Sequence, residues 1–171
     1  MHNKRVIVLP YNPIWKHDFE EIKHELAAAI GDIVTGIEHV GSTSVVGLSA
    51  KPIIDIDIVI SDYSFFDEVA CRLAQIGYHH EGNLGIKDRE AFMYSGKPHL
   101  QKHHLYVCPQ VSAELKRHIT FRDYLRNHPD AVKRYSKVKE EAARLYPNDI
   151  DQYIEYKTPC IEELYSLCGL I

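Results

Sequence analysis

The sequence predicts an α+β fold, in which a mixed β-sheet with its own helices precedes a helical C-terminal half. Three observations support this prediction. The run Ile53–Ile60 is almost wholly aliphatic and has the length of a strand. Apolar residues recur at helical spacing over residues 15–29, and the pattern is helical from Ser112 to the last residue. We therefore expect one domain over residues 1–171, with a sheet unit (1–110) and a helical region (111–171) packed on it.

Strand-forming segments are short, rich in β-branched and aromatic residues, and bounded by proline, glycine or polar loops. The first of them ends at Pro10, and the later ones are separated by the glycine-containing stretches 82–87 and 96–98. The predicted strands are Val6–Leu9, residues 33–40, Ile53–Ile60, Tyr78–Glu81, Ala91–Ser95 and His103–Cys108.

Helix boundaries are marked by capping residues and by breakers. Asn12 followed by Pro13 is typical of a helix start, and Gly31 is typical of its end. Ser64 with Asp67 three residues later resembles a capping box. The predicted helices run from Pro13 to Gly31, from Ser42 to Leu48, from Ser64 to Gly77, and near 112–127, 130–145 and 149–167, with Pro159 as a kink or restart in the last.

Charge and hydropathy exclude several classes of function. The 171 residues carry a net charge of −4, so no global basic field attracts nucleic acid, although residues 112–144 hold nine Lys or Arg against five Asp or Glu. No apolar run approaches the roughly 20 residues that span a bilayer, and the first residues do not read as a secretion signal. We expect a cytoplasmic protein that does not bind membranes, and nucleic acid is not an expected partner. The sequence does not indicate the oligomeric state.

Asp55 and Asp57 are the first candidate site residues. Side chains alternate along a strand, so Ile54, Ile56 and Ile58 face a core while both carboxylates share the other face, roughly 6–7 Å apart. Magnesium takes oxygen ligands and is typically held by one or two carboxylates with substrate phosphates. The pattern indicates Mg²⁺ ligands; an exposed acidic sheet face is the plainer alternative.

A Gly-Ser loop precedes this strand. Gly41 allows close backbone approach to a phosphate, and Ser42 and Thr43 add hydroxyl donors. Lys51 has two possible roles: it neutralises that phosphate, or it is a solvated lysine of the loop. We expect the backbone of Gly41 and Ser42 to lie within about 10 Å of both carboxylates, in one open cleft.

The stretch EHVGSTSVVGLSAKPIIDIDI, with His103–Leu105 and FRDYLR at 121–126, resembles the GrpB family, also called UPF0157. The resemblance covers nearly the whole chain. It implies a nucleotidyltransferase-like fold, in which a third carboxylate usually comes from a later neighbouring strand. In this chain His104 occupies that place, which puts the standard three-carboxylate mechanism in question.

Histidine also opens an alternative metal hypothesis. His39 and His104 together with Asp55 or Asp57 could bind Zn²⁺, because imidazole and carboxylate suit zinc. The residues are far apart in sequence, so their convergence is only a hypothesis, and zinc is less favoured than magnesium.

Arg122 and Arg126 lie four residues apart on one predicted helical face. Arginine binds phosphate in a bidentate way, so the pair could clamp substrate phosphates, or form ion pairs with nearby carboxylates. The pairs Tyr135/Lys139 and Tyr153/Lys157 have the same spacing. Tyrosine stacking on a base with lysine near a phosphate is one interpretation, and packing between helices is the favoured one.

The leading hypothesis is a nucleotidyltransferase that binds a nucleotide or another phosphorylated small molecule with Mg²⁺. Asp55 and Asp57 would hold the metal, with His104 beside them as a catalytic residue. Two alternatives remain: a binding or chaperone-like module without turnover, and a metal-dependent hydrolase built on histidines.

Overall fold

The computed structural model describes residues 4–171; the expected domain 1–171 also includes residues 1–3, which lie outside this range. The strands within 4–171 are β1 (Gly36–Val40), β2 (Ile54–Ile60), β3 (Tyr78–Gly82), β4 (Glu90–Tyr94) and β5 (His103–Pro109). The α-helices are α1 (Ile14–Ile30), α2 (Phe66–Gln75), α3 (Ala113–Arg126), α4 (Pro129–Leu145) and α5 (Ile150–Leu167). Short 3₁₀ turns cover Ser42–Ser44 and Tyr63–Phe65.

The strands form one mixed sheet in the order β1-β2-β5-β4-β3. β2 and β5 run parallel, whereas β1 with β2, β4 with β5 and β3 with β4 are antiparallel. The parallel register places Asp55 opposite His104 and Asp57 opposite Tyr106. The predicted α+β class with a mixed sheet and a helical C-terminal half is therefore confirmed.

One face of the sheet packs on α1 and α2. Ile54, Ile56 and Ile58 are fully buried there, in the same cluster as Ile22 and Leu26 of α1. Burying each such side chain contributes about 1.5–3 kcal/mol. This alternation sends the odd-numbered residues of β2 to the opposite face, as the sequence predicted.

The C-terminal helices cover that opposite face. Leu115 of α3 packs on Val59 of β2 and Cys108 of β5. After the 3₁₀ turn, Val45 and Leu48 pack with apolar residues of α3, α4 and α5: Leu125, Val132, Tyr135, Cys160 and Leu164. The aspartate face of the sheet therefore lies beneath the helical region.

Several predicted elements differ from the observed ones. Val6–Leu9 is not a strand: Leu9 forms a single antiparallel bridge with Ala50, and Pro10 has no N–H to continue it. The helix predicted from Ser42 to Leu48 is only a 3₁₀ turn, because Val45 is already extended. Asp62, rather than Ser64, caps the turn before α2. The three C-terminal helices lie within one residue of the predicted bounds, with Pro159 inside α5.

Candidate active site

The loop between β1 and β2 closes directly on Asp55. Gly41 has φ +74°, a left-handed conformation that L side chains rarely adopt. A Cβ atom at this position would lie 2.2 Å from Oδ2 of Asp55 and 3.0 Å from its Cβ. Only glycine therefore permits this approach. The amide of Ser44 donates to the carbonyl of Gly41 over 3.1 Å, which fixes the turn.

Asp55 is partly open, with 32% of its side chain exposed. Its Oδ1 lies 3.1 Å from Nδ1 of His104, on the neighbouring strand. His104 thus faces Asp55 from the strand next to β2, and its catalytic role stays a prediction. His104 itself is 49% exposed, so this contact is at the mouth of the site rather than in the core.

Asp57, in contrast, is completely buried. Its Oδ2 lies 2.6 Å from Nδ1 of His118 on α3, and Nε2 of His118 lies 3.1 Å from Oε1 of Glu114. The expectation that both aspartates open into one cleft is wrong for Asp57, because α3 packs over it. Burial alone would lower the pKa of His118, but its hydrogen bond and charge interaction with Asp57, and the charge of Glu114, raise it overall.

Whether these residues fit a divalent cation can be judged from their free lone pairs. Among residues 4–171, Oδ1 of Asp57 is one of two buried side-chain polar atoms without a hydrogen-bond partner. An unpartnered carboxylate oxygen is costly unless something else binds it. Asp55 and this oxygen of Asp57 are the groups that would hold Mg²⁺, and no group of three or more His, Cys, Asp or Glu within 4–171 is arranged to hold a metal.

A cavity of about 220 Å³, here called the lysine cavity, opens beside Asp55. It is lined by Ser42, Thr43 and Lys51 from the sheet unit and by Lys139, Tyr153 and Lys157 from α4 and α5, together with Ala50, Ile53, Asp55 and His104. Lys139 donates to Oγ of Ser42 over 2.7 Å. Three amines thus meet one carboxylate and two hydroxyls, which is the chemistry of an anion site.

Burial and mutual repulsion weaken the charge of these lysines. Burial lowers the pKa of Lys139 to about 7, with a further lowering by Lys157. Burial, and then Lys51, lower the pKa of Lys157 to about 8. Burial also lowers the pKa of Lys51. A bound polyanion would reverse these shifts, because it favours the charged amines.

A second cavity of about 190 Å³, here called the aromatic cavity, lies on the other side of Ser42 and Asp55. Its walls include Phe121, Tyr135 and Tyr165, with Arg117, His118 and Arg122 among the polar groups. The rings of Phe121 and Tyr165 meet edge to face, with centroids 4.8 Å apart. The two cavities share the residues on which the Gly-Ser loop closes.

The two predicted arginines lie in different places. Arg122 borders the aromatic cavity, but its Nη1 binds Oε2 of Glu38 at 2.8 Å and the carbonyl of His39 at 3.0 Å. Arg126 donates from Nε and Nη2 to the carbonyl of Ser44, at 3.0 and 2.8 Å. From α3, Arg122 therefore holds strand β1 and Arg126 holds the loop that follows it, and their role toward a phosphate stays a prediction.

His39 does not join the other candidate metal ligands. Its ring stacks on Phe19 with centroids 4.6 Å apart, and its Nε2 lies 2.9 Å from Oγ1 of Thr43. Burial lowers the pKa of His39 to about 4, so its ring is neutral. The hypothesis of zinc bound by His39 and His104 gains no support from this geometry.

The sequence analysis did not select Lys139, Lys157 and His118 among its candidate site residues. The tyrosine–lysine spacing on α4 and α5 was visible, but it predicted packing between helices. A larger groove of about 850 Å³ lies beside α1, among Glu20, Glu25 and Leu100. Its lining includes glutamates and histidines but no lysine or arginine, so it does not match an anion site despite its size.

The fold resembles that of solved nucleotidyltransferases. A structure of the Cid1 poly(U) polymerase, in a mutant bound to MgATP, matches with a TM-score of 0.53 at 9% identity, covering 77% of this chain and 45% of that one. At such low identity the likeness concerns the fold alone. The protein therefore has a nucleotidyltransferase-like fold.

Comparison of the sequence assigns the chain to one family. The family described as GrpB protein matches residues 5–167, and this chain belongs to that family. The crystal structure of the conserved protein GrpB from Enterococcus faecalis matches with a TM-score of 0.75 at 30% identity, over 93% of this chain and 99% of that one. The glutamate-rich protein GrpB of Alkalihalophilus pseudofirmus is 34% identical over 94% of both chains.

Some relatives are longer. The UPF0157 protein YqkA of Bacillus subtilis is 34% identical, but the match spans 46% of its length. A protein of Mycolicibacterium paratuberculosis named dephospho-CoA kinase is 27% identical, over 45% of its length. This chain thus corresponds to about half of such relatives. None of the helices within 4–171 is long and apolar enough to cross a membrane.

Proposed function

We propose that this protein binds a nucleotide, or another phosphorylated small molecule, together with Mg²⁺ and transfers a nucleotidyl group to an acceptor. The observation that carries the proposal is the closure of Gly41 on Asp55 beside a cavity lined by three lysines. Carboxylates next to concentrated amines match the two ends of a metal–polyphosphate complex.

The residues have distinct roles in this proposal. Asp55 and Asp57 would hold Mg²⁺, which when bound supplies charge neutralisation for the phosphates. Ser42 and Thr43 offer hydroxyl groups, and the absence of a side chain at Gly41 lets the loop backbone lie directly against Asp55.

The lysines and the histidine complete the arrangement. Lys51, Lys139 and Lys157 neutralise the phosphate chain, since each gains charge when an anion enters. His104 contacts Oδ1 of Asp55 and so orients that carboxylate. The aromatic cavity shares Ser42 and Asp55 with the lysine cavity, and its three aromatic rings suit contact with a planar group.

A binding module without turnover is the second candidate. It is favoured by one observation: in place of a third carboxylate, β5 presents His104 to Asp55, and His118 already occupies one oxygen of Asp57. This candidate predicts nucleotide binding with no pyrophosphate release.

A ligand screen with a turnover assay tests both. Thermal shifts would be recorded for the four ribonucleoside triphosphates, pyrophosphate and dephospho-CoA, with Mg²⁺ and with EDTA; dephospho-CoA is included because of the name of the mycobacterial relative. A ligand at 100 times its dissociation constant stabilises by about 2.7 kcal/mol. Magnesium-dependent stabilisation with pyrophosphate release supports transfer, and stabilisation alone supports the binding module. The absence of any magnesium-dependent response would refute both, and zinc retained on purification would favour the hydrolase.

A further inference from the structure

We propose that Lys139 is a reactive amine that accepts the acyl group of a small acyl phosphate, whose phosphate is held by Lys51 and Lys157. This inference goes beyond nucleotidyl transfer, because it requires neither Mg²⁺ nor a nucleotide. It requires only that the lysine cavity attracts a phosphate.

The surroundings of Lys139 do not support a permanent positive charge. The residue is 2% exposed, and its Nζ lies 2.7 Å from Oγ of Ser42 and 4.4 Å from the ring centroid of Tyr135. Within residues 4–171 it forms no ion pair with a carboxylate, and Asp55 acts on it only through its charge at longer range. A buried amine without an anionic partner avoids the cost of its charge by losing a proton.

A neutral amine is a nucleophile at physiological pH. Lysines become nucleophilic when they are desolvated or placed next to another cation, and Lys139 meets both conditions. Its pKa of about 7 lies below that of Lys157, at about 8. Near pH 7, before an anion binds, about half of the Lys139 amine is neutral and able to attack, whereas Lys157 is mostly charged.

The neighbouring amines are placed to hold the phosphate end of the reagent. Lys51 and Lys157 each have Nζ 4.9 Å from the ring centroid of Tyr153, so both reach the same wall of the cavity. The cavity of about 220 Å³ accommodates a small acyl phosphate. An acyl phosphate fits better than a phosphate ester, because amines attack its carbonyl carbon and phosphate is its leaving group.

The step balances without a further reactant. The lone pair of Nζ of Lys139 forms a C–N bond to the carbonyl carbon. The bond from this carbon to the phosphate oxygen breaks, and phosphate leaves with the electron pair. The surplus proton of the nitrogen passes to phosphate or water. The product is an amide, which carries no charge and therefore no longer neutralises an anion in the cavity.

Acetyl phosphate is the probe for the test. The full chain would be incubated with it in EDTA at pH 7, and acetylation of each lysine followed by peptide mapping at early times. Lys137 is the matched control, since it is exposed on the same helix two residues away. We expect Lys139 to react about tenfold faster than Lys137, or more. Inorganic pyrophosphate should slow the reaction at Lys139 only.

Three further measurements complete the test. Lys51→Met and Lys157→Met should each slow acetylation of Lys139 without changing Lys137, with folding checked by thermal melts. An acetylating ester without phosphate should show a smaller preference for Lys139. Equal or slower reaction of Lys139 than Lys137 would overturn the inference, as would a preference that neither pyrophosphate nor the two variants diminish. Binding of MgATP is measured separately, so rapid acetylation without nucleotide binding would refute only the proposed nucleotidyl transfer.

Discussion

The Nζ atom of Lys139 lies 2.7 Å from Oγ of Ser42, although 97 positions separate the two residues in the chain. This contact joins α4 to the Gly-Ser loop. It also buries an amine beside Lys157 rather than beside a carboxylate partner, so the lysine is only partly charged near neutral pH. The charge of the site should therefore depend on what occupies it.

Anion binding should be coupled to proton uptake. The pKa values of Lys139 and Lys157, about 7 and about 8, rise when an anion binds. At pH 8 both amines then take up protons, and affinity should fall as pH rises from 7 to 9. Calorimetry with tripolyphosphate, in buffers of different ionisation enthalpy, measures the uptake. The ligand's own titration is the same with parent and with Lys139→Met, so the difference in proton uptake between them isolates the contribution of Lys139. An uptake equal to that of the parent would contradict the prediction.

The stability of the empty protein should respond to pH in a defined direction. The pKa of Lys139 is lowered on folding, so the unfolded chain binds more protons between about pH 7 and the ordinary value of 10.5. Stability contributed by this residue therefore rises with pH across that window, and the full penalty is present below it. Lys139→Met should raise the melting temperature most at pH 6 and least at pH 9. A gain in melting temperature that grows with pH would contradict the prediction.

Gly41→Ala should destabilise the protein and abolish nucleotide binding. The new Cβ would lie 2.2 Å from Oδ2 of Asp55, and the positive φ adds strain of about 1–2 kcal/mol. Gly85→Ala is a matched control, because its φ is +84° but its surroundings are open. The free energy of unfolding of both variants, measured by chemical denaturation, separates the steric clash with Asp55 from the backbone strain that both positions share. Equal losses of stability would mean that the loop does not press on Asp55.

Asp55→Asn and Asp57→Asn should have different effects. Asp55 is partly open, so the Asp55→Asn protein should have nearly the stability of the parent. It should lose the magnesium-dependent stabilisation by nucleotide. Asp57 is buried against His118, and leaving that partner unsatisfied costs about 1–3 kcal/mol. Melting temperatures in EDTA, in Mg²⁺, and in Mg²⁺ with nucleotide test both. An unchanged nucleotide response in Asp55→Asn would remove the metal site from the proposal.

Arg126→Lys should loosen the loop rather than remove a ligand contact. The guanidinium group donates twice to the carbonyl of Ser44, which a single ammonium group reproduces poorly. We expect a loss of about 0.5–1.5 kcal/mol in stability. Affinity for pyrophosphate, measured well below the melting temperature, should change little. A large loss of affinity with unchanged stability would instead support the predicted phosphate clamp.

The local part of the site could be read from the sequence. The alternation of Ile54–Ile58 placed the aspartates on one face, and Gly41 was recognisable as a position where backbone approaches another group. Both signals arise from neighbouring residues, whose relation is set by strand geometry. The resemblance to a known family placed His104 beside them.

The contributions of the helices could not be read in the same way. His118 and Lys139 reach the site only because α3 and α4 pack in particular orientations on the sheet. No local pattern encodes that packing, and charged residues on a helix are usually solvated. The same limit explains why Asp57 was expected to be open, since its cover comes from a helix that begins more than fifty residues later.

The lysine cavity draws its walls from both ends of the chain, which has a consequence for the order of folding. Ser42 and Lys51 belong to the sheet unit, whereas Lys157 lies on the last helix. Contacts between such distant residues close large loops and tend to form late. During synthesis, a phosphate could not meet all three amines until α5 had left the ribosome and docked. A bound anion would then link α5 to the loops that carry Ser42 and Lys51. Slower hydrogen exchange of the α5 amides on anion binding would test this.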